Sequence, residues 1–316
     1  MPALITKACA KSILFGEHAV VYGYPALAVP LSDLQLQVTI IPDIFNAGNA
    51  IRVIAPTIGL NSLLCDIPDS SPIRKSVELT LDQSGVNHIP ACTIRIESDF
   101  PAAGGLGSSA ACAIALIRAV SNFLGSILPL NKVNEIAFEI EKMQHGNPSG
   151  IDNTVITYQK PVFYLKEQPI EFIAINKTLH LILAYCGIQG KTKEAVDIVR
   201  SKHSENNIVF DGIFMKIGKI VINARDQLAT GDLSGVGKLM IENHHLLKEL
   251  GVSIPSLDEL VHTAVQAGAL GAKLCGGGLG GNIVALAEKE KINQVSQALE
   301  SAGAVWVHSS LVNESK

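Results

Sequence analysis

Several things are scarce in this chain of 316 residues, and each scarcity argues against a class of protein. Positive charge is not in excess: 25 Lys and Arg face 29 Asp and Glu, for a net charge of −4. That balance offers no electrostatic footprint for a nucleic-acid backbone, so an anionic ligand must be held by a local site. Charge of either sign is sparse, at 17% against 47% hydrophobic residues, the reverse of a disordered chain. The cysteines, Cys9, Cys65, Cys92, Cys112, Cys186 and Cys275, form no CxxC pair. This disfavours a zinc framework and a small disulfide scaffold, and buried free thiols in a reducing compartment are expected. A long lipid-facing run is missing too. The longest uncharged stretch, Phe100 to Ile117, is interrupted by Pro101, Gly104, Gly105, Gly107, Ser108 and Ser109. Near the N-terminus, Lys7, Lys11 and Glu17 fall within a strand-like pattern, with no charged start, apolar block and cleavage site. The expectation is a soluble cytoplasmic protein of one large or two packed domains, with no nucleic-acid or membrane partner.

Strand patterns dominate the first hundred residues. Leu4–Cys9 and Ile13–Phe15 are short apolar runs, Leu34–Ile41 and Thr93–Glu97 alternate, and Pro42, Asn46, Gly48 and Asn49 mark a turn. Helical patterns follow at Ser108–Leu124 and at Lys132–Met143, the latter with Asn131 as N-cap and Val133, Ile136, Ala137, Ile140 and Met143 as its apolar face. Asn147, Pro148 and Gly150 then break the chain, and Thr154–Tyr158, Val162–Leu165 and Leu179–Tyr185 read as strands. Helices are expected over Asp211–Leu228 and Leu233–Leu250. A third is expected to run to about Ala267, started by a capping box of Ser256 and Glu259. Ile283–Leu286 and Ala304–His308 read as strands around a last helix, Lys289–Ser301. Mixed strands and helices without regular alternation indicate an α+β protein with two lobes, divided near residues 165–178.

Four segments carry chemistry. The first delivers Lys11, Glu17 and His18 into an otherwise apolar stretch ending at Tyr22-Gly23, where charges must be paired or used. An exposed turn with an ordinary ion pair explains it equally well. The second, Gly104-Gly105-Leu106-Gly107-Ser108-Ser109-Ala110, runs into a helix. Glycines let backbone N–H groups approach an anion, the helix start adds more donors, and a first-turn hydroxyl can reach a phosphate-bound Mg2+. It is neither a Walker loop nor a Rossmann fingerprint. In the third, Glu141 ends a helix, a tight turn follows and Asp152 starts the next strand, so two acids can divide the work of binding a hard cation and accepting a hydroxyl proton. A helix stop with a solvated Asp is the plainer explanation. The fourth, Lys273 to Asn282, holds five glycines in six residues and implies close backbone approach, or simply a flexible hairpin. His244-His245 is read as solvated or capping rather than metal-binding.

Together the segments resemble the superfamily of galactokinase, homoserine kinase, mevalonate kinase and phosphomevalonate kinase, the GHMP kinases, with the mevalonate kinases most similar. Lys11…Gly16-Glu17-His18-Ala-Val-Val-Tyr-Gly23, Gly105-Leu-Gly-Ser-Ser-Ala-Ala111 and His145-Gly-Asn-Pro-Ser-Gly-Ile-Asp-Asn153 resemble that family's motifs and occur in its order. The resemblance implies a two-domain fold, with an N-terminal domain like ribosomal protein S5 domain 2 over residues 1–172 and a ferredoxin-like C-terminal domain over 173–316. It implies ATP and Mg2+ as cofactors and mevalonate as acceptor, phosphorylated on its C5 hydroxyl. Asp152 is then the catalytic aspartate, Lys11 its electrostatic partner, and Ser109 and Glu141 the Mg2+ ligands. Residues 104–110 hold the ATP phosphates, and Glu17, His18 and Thr192 face the acceptor. A homodimer is compatible with this reading and not required by it. The sequence departs from the family at Cys275 and Leu279, which replace a threonine and a glycine, and at Gln159-Lys160-Pro161, where glycines are expected. Two alternatives stay open: another acceptor on the same fold, and a sensor that binds nucleotide without turnover.

Overall fold

The structure, a computed structural model, describes residues 3–43, 50–86, 89–102, 104–145 and 148–314. The predicted turn residues Asn46, Gly48, Asn49 and Asn147 lie outside them. The strands are β1 (Leu4–Phe15), β2 (Ala26–Pro42), β3 (Ile51–Ala55), β4 (Leu60–Leu63), β5 (Cys92–Ser98), β6 (Val162–Tyr164), β7 (Glu171–Phe172), β8 (Leu179–Tyr185), β9 (Gly271–Cys275), β10 (Asn282–Ala287) and β11 (Trp306–Val312). The helices are α1 (Pro72–Ser84), α2 (Ser108–Phe123), α3 (Leu130–His145), α4 (Ile151–Tyr158), α5 (Thr192–Glu205), α6 (Asn207–Thr230), α7 (Leu233–Leu250), α8 (Pro255–Gln266) and α9 (Ile292–Ser301). Contacts divide the chain into two units.

Unit one gathers Met1–Ala10, Leu34–Ala102 and Gly107–Tyr158. The C-terminal half of β2 pairs antiparallel with β5, β5 parallel with β3, and β3 antiparallel with β4. Alternation decides which side is covered: Leu36, Val38 and Ile40 are buried on β2, as are Ile94 and Ile96 on β5, while Arg95 and Glu97 are exposed. Helices α1, α2 and α3 pack together, and α4 packs on α2 and α3. The alanines of α2 allow close approach; from Ala110 to Val120 only Cys112 and Arg118 escape full burial. On α3, Val133, Ile136, Ala137 and Ile140 are buried as expected, but Met143 is 51% exposed.

Unit two gathers Lys11–Asp33, Ala103–Leu106 and Gln159–Lys316. Its four-stranded antiparallel sheet has the order β11-β8-β10-β9, with Val284 opposite both Leu183 and Lys273. That order, with α5–α8 between β8 and β9 and α9 between β10 and β11, is ferredoxin-like. Every residue of β10 is buried, as a central strand requires. Helices α7 and α8 pack on β9, and α9 packs on β8 and β11. The predicted face of α6, Ile213, Phe214, Ile217, Ile220, Val221, Ala224 and Leu228, is buried in full.

Several expectations are corrected. Thr154–Tyr158 is the end of helix α4, not a strand; its apolar run is short and buried, which does not distinguish the two. Gln159 follows with φ +52°, taking the left-handed position expected of a glycine. Helix α8 begins one residue before Ser256, with Pro255 at its first position and no side-chain cap, so the capping box does not form. The last helix opens with a 3-10 turn over Lys289–Lys291. Helices α1 and α5 were not anticipated. All six thiols are free, but Cys65 is exposed and only Cys9, Cys92 and Cys275 are fully buried. Among the described residues no helix is long and apolar enough to cross a membrane.

Candidate active site

In unit one Gly107 leads directly into α2. Gly107 takes φ +76° at the N-cap, and having no side chain it leaves the first-turn N–H groups of a 16-residue helix uncapped by it. Ser109, in that first turn, donates its hydroxyl to Glu141 Oε1 at 2.8 Å. It also bonds Gln144 Oε1, one turn further along α3. Glu141 is buried, at 5% exposure. A hydroxyl and a carboxylate within hydrogen-bond reach, beside a phosphate-type helix start, form a donor set of the kind Mg2+ takes when phosphates complete its shell. Among the described residues no cluster of three or more His, Cys, Asp or Glu could hold a metal without such help.

Asp152 lies in the first turn of α4 and is half-buried. The helix around it is fixed from several directions. Gly150, at φ +85°, turns the chain, and its carbonyl accepts Thr154 Oγ1 at 2.7 Å. Asn153 donates to Asn134 Oδ1 on α3 at 2.8 Å. At the other end, Arg118 of α2 donates to the carbonyls of Thr157 (2.9 Å) and Lys7 (3.1 Å). Arg118 thus caps the α4 C-terminus with a cation, the favourable sign there.

In unit two Lys11 is 2% exposed, and its amino group donates to the carbonyl of Gly105 at 3.2 Å. Its own N–H bonds the carbonyl of Leu106 at 3.0 Å, and the Leu106 side chain is fully buried. Asn282 holds Gly104 with two bonds to one carbonyl, from its side chain (2.7 Å) and its backbone N–H (3.1 Å). Gly105, at φ +85°, lies so near Cys275 that a Cβ would sit 2.4 Å from the carbonyl oxygen. The Cys275–Asn282 loop is no loose hairpin. Leu279 N–H bonds Val252 O, Gly281 N–H bonds Ile188 O, and Lys191 N–H bonds Gly278 O, at 2.8, 2.8 and 3.3 Å. Leu279 takes φ +54°, in the left-handed region that favours glycine. Cys275 Sγ lies 3.3 Å from Ser12 Oγ.

The three residues expected at the acceptor separate. His18 bonds Gly277 O through Nε2 at 2.9 Å, and a Cβ on Gly277 would come within 2.8 Å of Thr192 Oγ1, so His18 and Thr192 converge on one glycine. A carbonyl only accepts, so His18 carries its proton on Nε2. Burial lowers its pKa to about 4, against the pull of that hydrogen bond and with help from the Lys273 charge. Glu17 instead points to Lys273 and Asn243. Tyr22 stacks on Phe214 of α6 at 4.3 Å and packs on His203 of α5 at 4.9 Å, which ties this segment to the helix that Thr192 opens. His244 is buried, not solvated. Its Nδ1 accepts Leu274 N–H at 3.4 Å, so its proton is on Nε2, 3.2 Å from Asp258. Asn243 and Arg118 lie outside the four segments, and Lys273 and Asn282 bound the fourth with no role assigned to them. Only the single lysine in an apolar strand, Lys273, carried a signal.

Two family models match the chain: the GHMP kinases N-terminal domain over residues 72–160 and the GHMP kinases C-terminal domain over 224–305. A curated mevalonate kinase from Thermococcus gammatolerans is 36% identical, covering 95% of this chain and 93% of its own. One from Methanocaldococcus jannaschii is 31% identical, covering 94% and 96%. Among solved structures, the L. major mevalonate kinase in complex with R-mevalonate superposes with a TM-score of 0.85 at 29% identity, over 99% of this chain and 96% of that one. The chain belongs to the mevalonate kinase family of the GHMP kinases.

Proposed function

We propose that this chain transfers the terminal phosphoryl group of MgATP to the C5 hydroxyl of mevalonate. The observation that carries the reading is the pairing of Ser109 with Glu141 at the start of α2, in a chain whose mevalonate kinase relatives match it almost end to end. Phosphoryl transfer asks a protein mainly for positioning and charge neutralisation. The first-turn N–H groups of α2 and the positive end of its dipole receive phosphate oxygens. Ser109 and Glu141 would hold Mg2+, which when bound neutralises the phosphates. Buried Lys11, whose amino group also holds the Gly105 carbonyl, supplies positive charge and lowers the pKa of the attacking hydroxyl. Asp152 orients that hydroxyl and takes its proton; the fixed frame of α4 keeps the carboxylate in place. His18 and Thr192 give the acceptor hydrogen-bonding groups without positive charge, which suits a hydroxyl better than a phosphate. The reaction belongs in the cytoplasm, where ATP is made available.

The test is ADP release with MgATP and mevalonate, run beside galactose, homoserine and phosphomevalonate. Selective turnover with mevalonate is expected. Turnover confined to another acceptor would discard the His18 and Thr192 assignment and keep the Asp152 chemistry. Nucleotide binding without turnover of any acceptor would favour the sensor.

A further inference from the structure

Lys273 is the most deeply committed charge described in unit two. Its side chain has 0% exposure and that of its partner Glu17 has 1%. An ammonium has three N–H donors, and three acceptors surround this one: Glu17 Oε1, Leu274 O at 2.6 Å and Ile13 O at 3.4 Å. The other Glu17 oxygen accepts Asn243 Nδ2 from α7 at 3.4 Å. The amino group therefore ties together the end of β1, which carries Lys11, the Gly16–His18 turn, and β9, which runs into the Gly-rich loop. His18, one residue on, bonds Gly277 O. The 17–273 and 18–277 contacts are thus two rungs between the same two segments. His18 holds φ +62°, a backbone conformation that persists in a non-glycine residue only where its surroundings impose it.

We propose that Lys273 and Glu17 are positioning residues, a buried ion pair that locks the Gly16–His18 turn to the Gly276–Gly281 loop and so places His18, and that Glu17 does not itself touch the acceptor. The inference rests on the reading that His18 faces mevalonate. It departs from the family-based expectation for Glu17 on two grounds. The carboxylate is out of reach of solvent with both oxygens engaged, and a second carboxylate beside an anionic acceptor would repel it.

A buried pair has a diagnostic response to mutation. Removing one partner strands a charge, whereas neutralising both is often nearly neutral. The experiment compares Lys273→Met, Glu17→Gln and the double variant in the full-length protein, reading Tm, kcat and the KM for mevalonate. Gln keeps an acceptor for Asn243. In Lys273→Met the mevalonate KM is expected to rise tenfold or more, and in the double variant to return to within threefold of wild type, with Tm recovering in parallel. Should Lys273→Met not fold, Glu17→Gln against the double variant gives the same comparison. A folded double variant whose mevalonate KM stays raised as far as in Glu17→Gln would overturn the proposal, because Glu17 would then contact the acceptor. So would a double variant less stable than the worse single one, or a single variant that loses Tm with its KM unchanged. If wild type turns over no mevalonate, the functional reading alone fails. The pair is then judged by whether Tm recovers in the double variant.

Discussion

Replacing Gly105 by alanine tests whether the phosphate loop depends on its contact with the Cys275 segment. Two costs add. Gly105 has φ +85°, where an L-residue costs about 1–2 kcal/mol. The new Cβ would also meet the Cys275–Gly276 peptide: Cys275 O at 2.4 Å, Cys275 C at 3.2 Å and Gly276 Cα at 3.3 Å. No rotamer change relieves a backbone clash, and overpacking of this kind costs about 1–3 kcal/mol. The sum, about 2–5 kcal/mol, falls on one conformation of the loop. At about 1.4 kcal/mol per factor of ten, the lower end already reduces the population of that conformation ~30-fold, and apparent MgATP affinity falls with it. Gly125 supplies the control. Its φ is +72°, but nothing lies within 4 Å of its Cβ position, so Gly125→Ala bears the backbone cost alone, at the far end of α2. The assay is the KM for MgATP by coupled ADP release, with thermal unfolding of both variants. Gly105→Ala should raise that KM by an order of magnitude or more, and Gly125→Ala should lower Tm by a few degrees and leave the KM alone. A Gly105→Ala enzyme with a MgATP KM within threefold of wild type would refute the reasoning.

Other outcomes follow from the same geometry. Asp152→Asn and Lys11→Met should each lower turnover on the order of 100-fold or more while Tm stays within a few degrees, as measured by kcat and thermal unfolding. Ser109→Ala and Glu141→Gln should raise the Mg2+ concentration needed for half-maximal rate, Glu141→Gln more because it removes a charge; an unchanged Mg2+ requirement in both would remove them as ligands. His18 and His244 are held near pH 4 in the folded protein by burial, below the 6.5 of an unfolded histidine. The unfolded chain therefore takes up protons below pH 6.5 that the folded one refuses. Stability should be full above that pH, fall toward pH 4 by on the order of 3 kcal/mol per histidine, and level off from these groups below it; urea midpoints across pH 4–7 measure this. Cys65 should react first with a thiol reagent, while Cys9 and Cys92, buried and with pKa values pushed up to about 11, should react only on unfolding.

What the sequence made legible was periodicity and backbone need. The alternation of Leu34–Ile41, the face of α6 and the span of α7 are each dictated by one strong pattern, and the structure follows them. Helix α4 has no helical signature because Ile151–Tyr158 is buried on nearly all sides, leaving no polar face to reveal a period. Helix α5 shows no apolar stripe, because only Ala195 and Val199 are fully buried. At the site, the glycines near residues 105 and 277 pointed to close approach, which is what Cys275 and Thr192 impose on them. The partner of Glu17 could not be read. Lys273 is 256 positions away, and nothing in either local sequence says that the two charges meet.

That separation bears on how the protein is made. Unit two is not a continuous stretch but three: Lys11–Asp33, the short Ala103–Leu106 and everything from Gln159 onward. At ~5–20 residues per second, Glu17 leaves the ribosome some ~10–50 s before Lys273 is synthesised. For that interval its carboxylate has no internal counterion from β9 and must stay hydrated, so the Gly16–His18 turn cannot settle before β9 arrives. A C-terminal fragment would meet the mirror difficulty, with an ammonium in an apolar strand and no acid to bury beside it. Unit two is therefore committed to folding late, and cutting the chain after Tyr158 would part its Lys11–Asp33 segment from β8–β11, leaving unit two without a finished core.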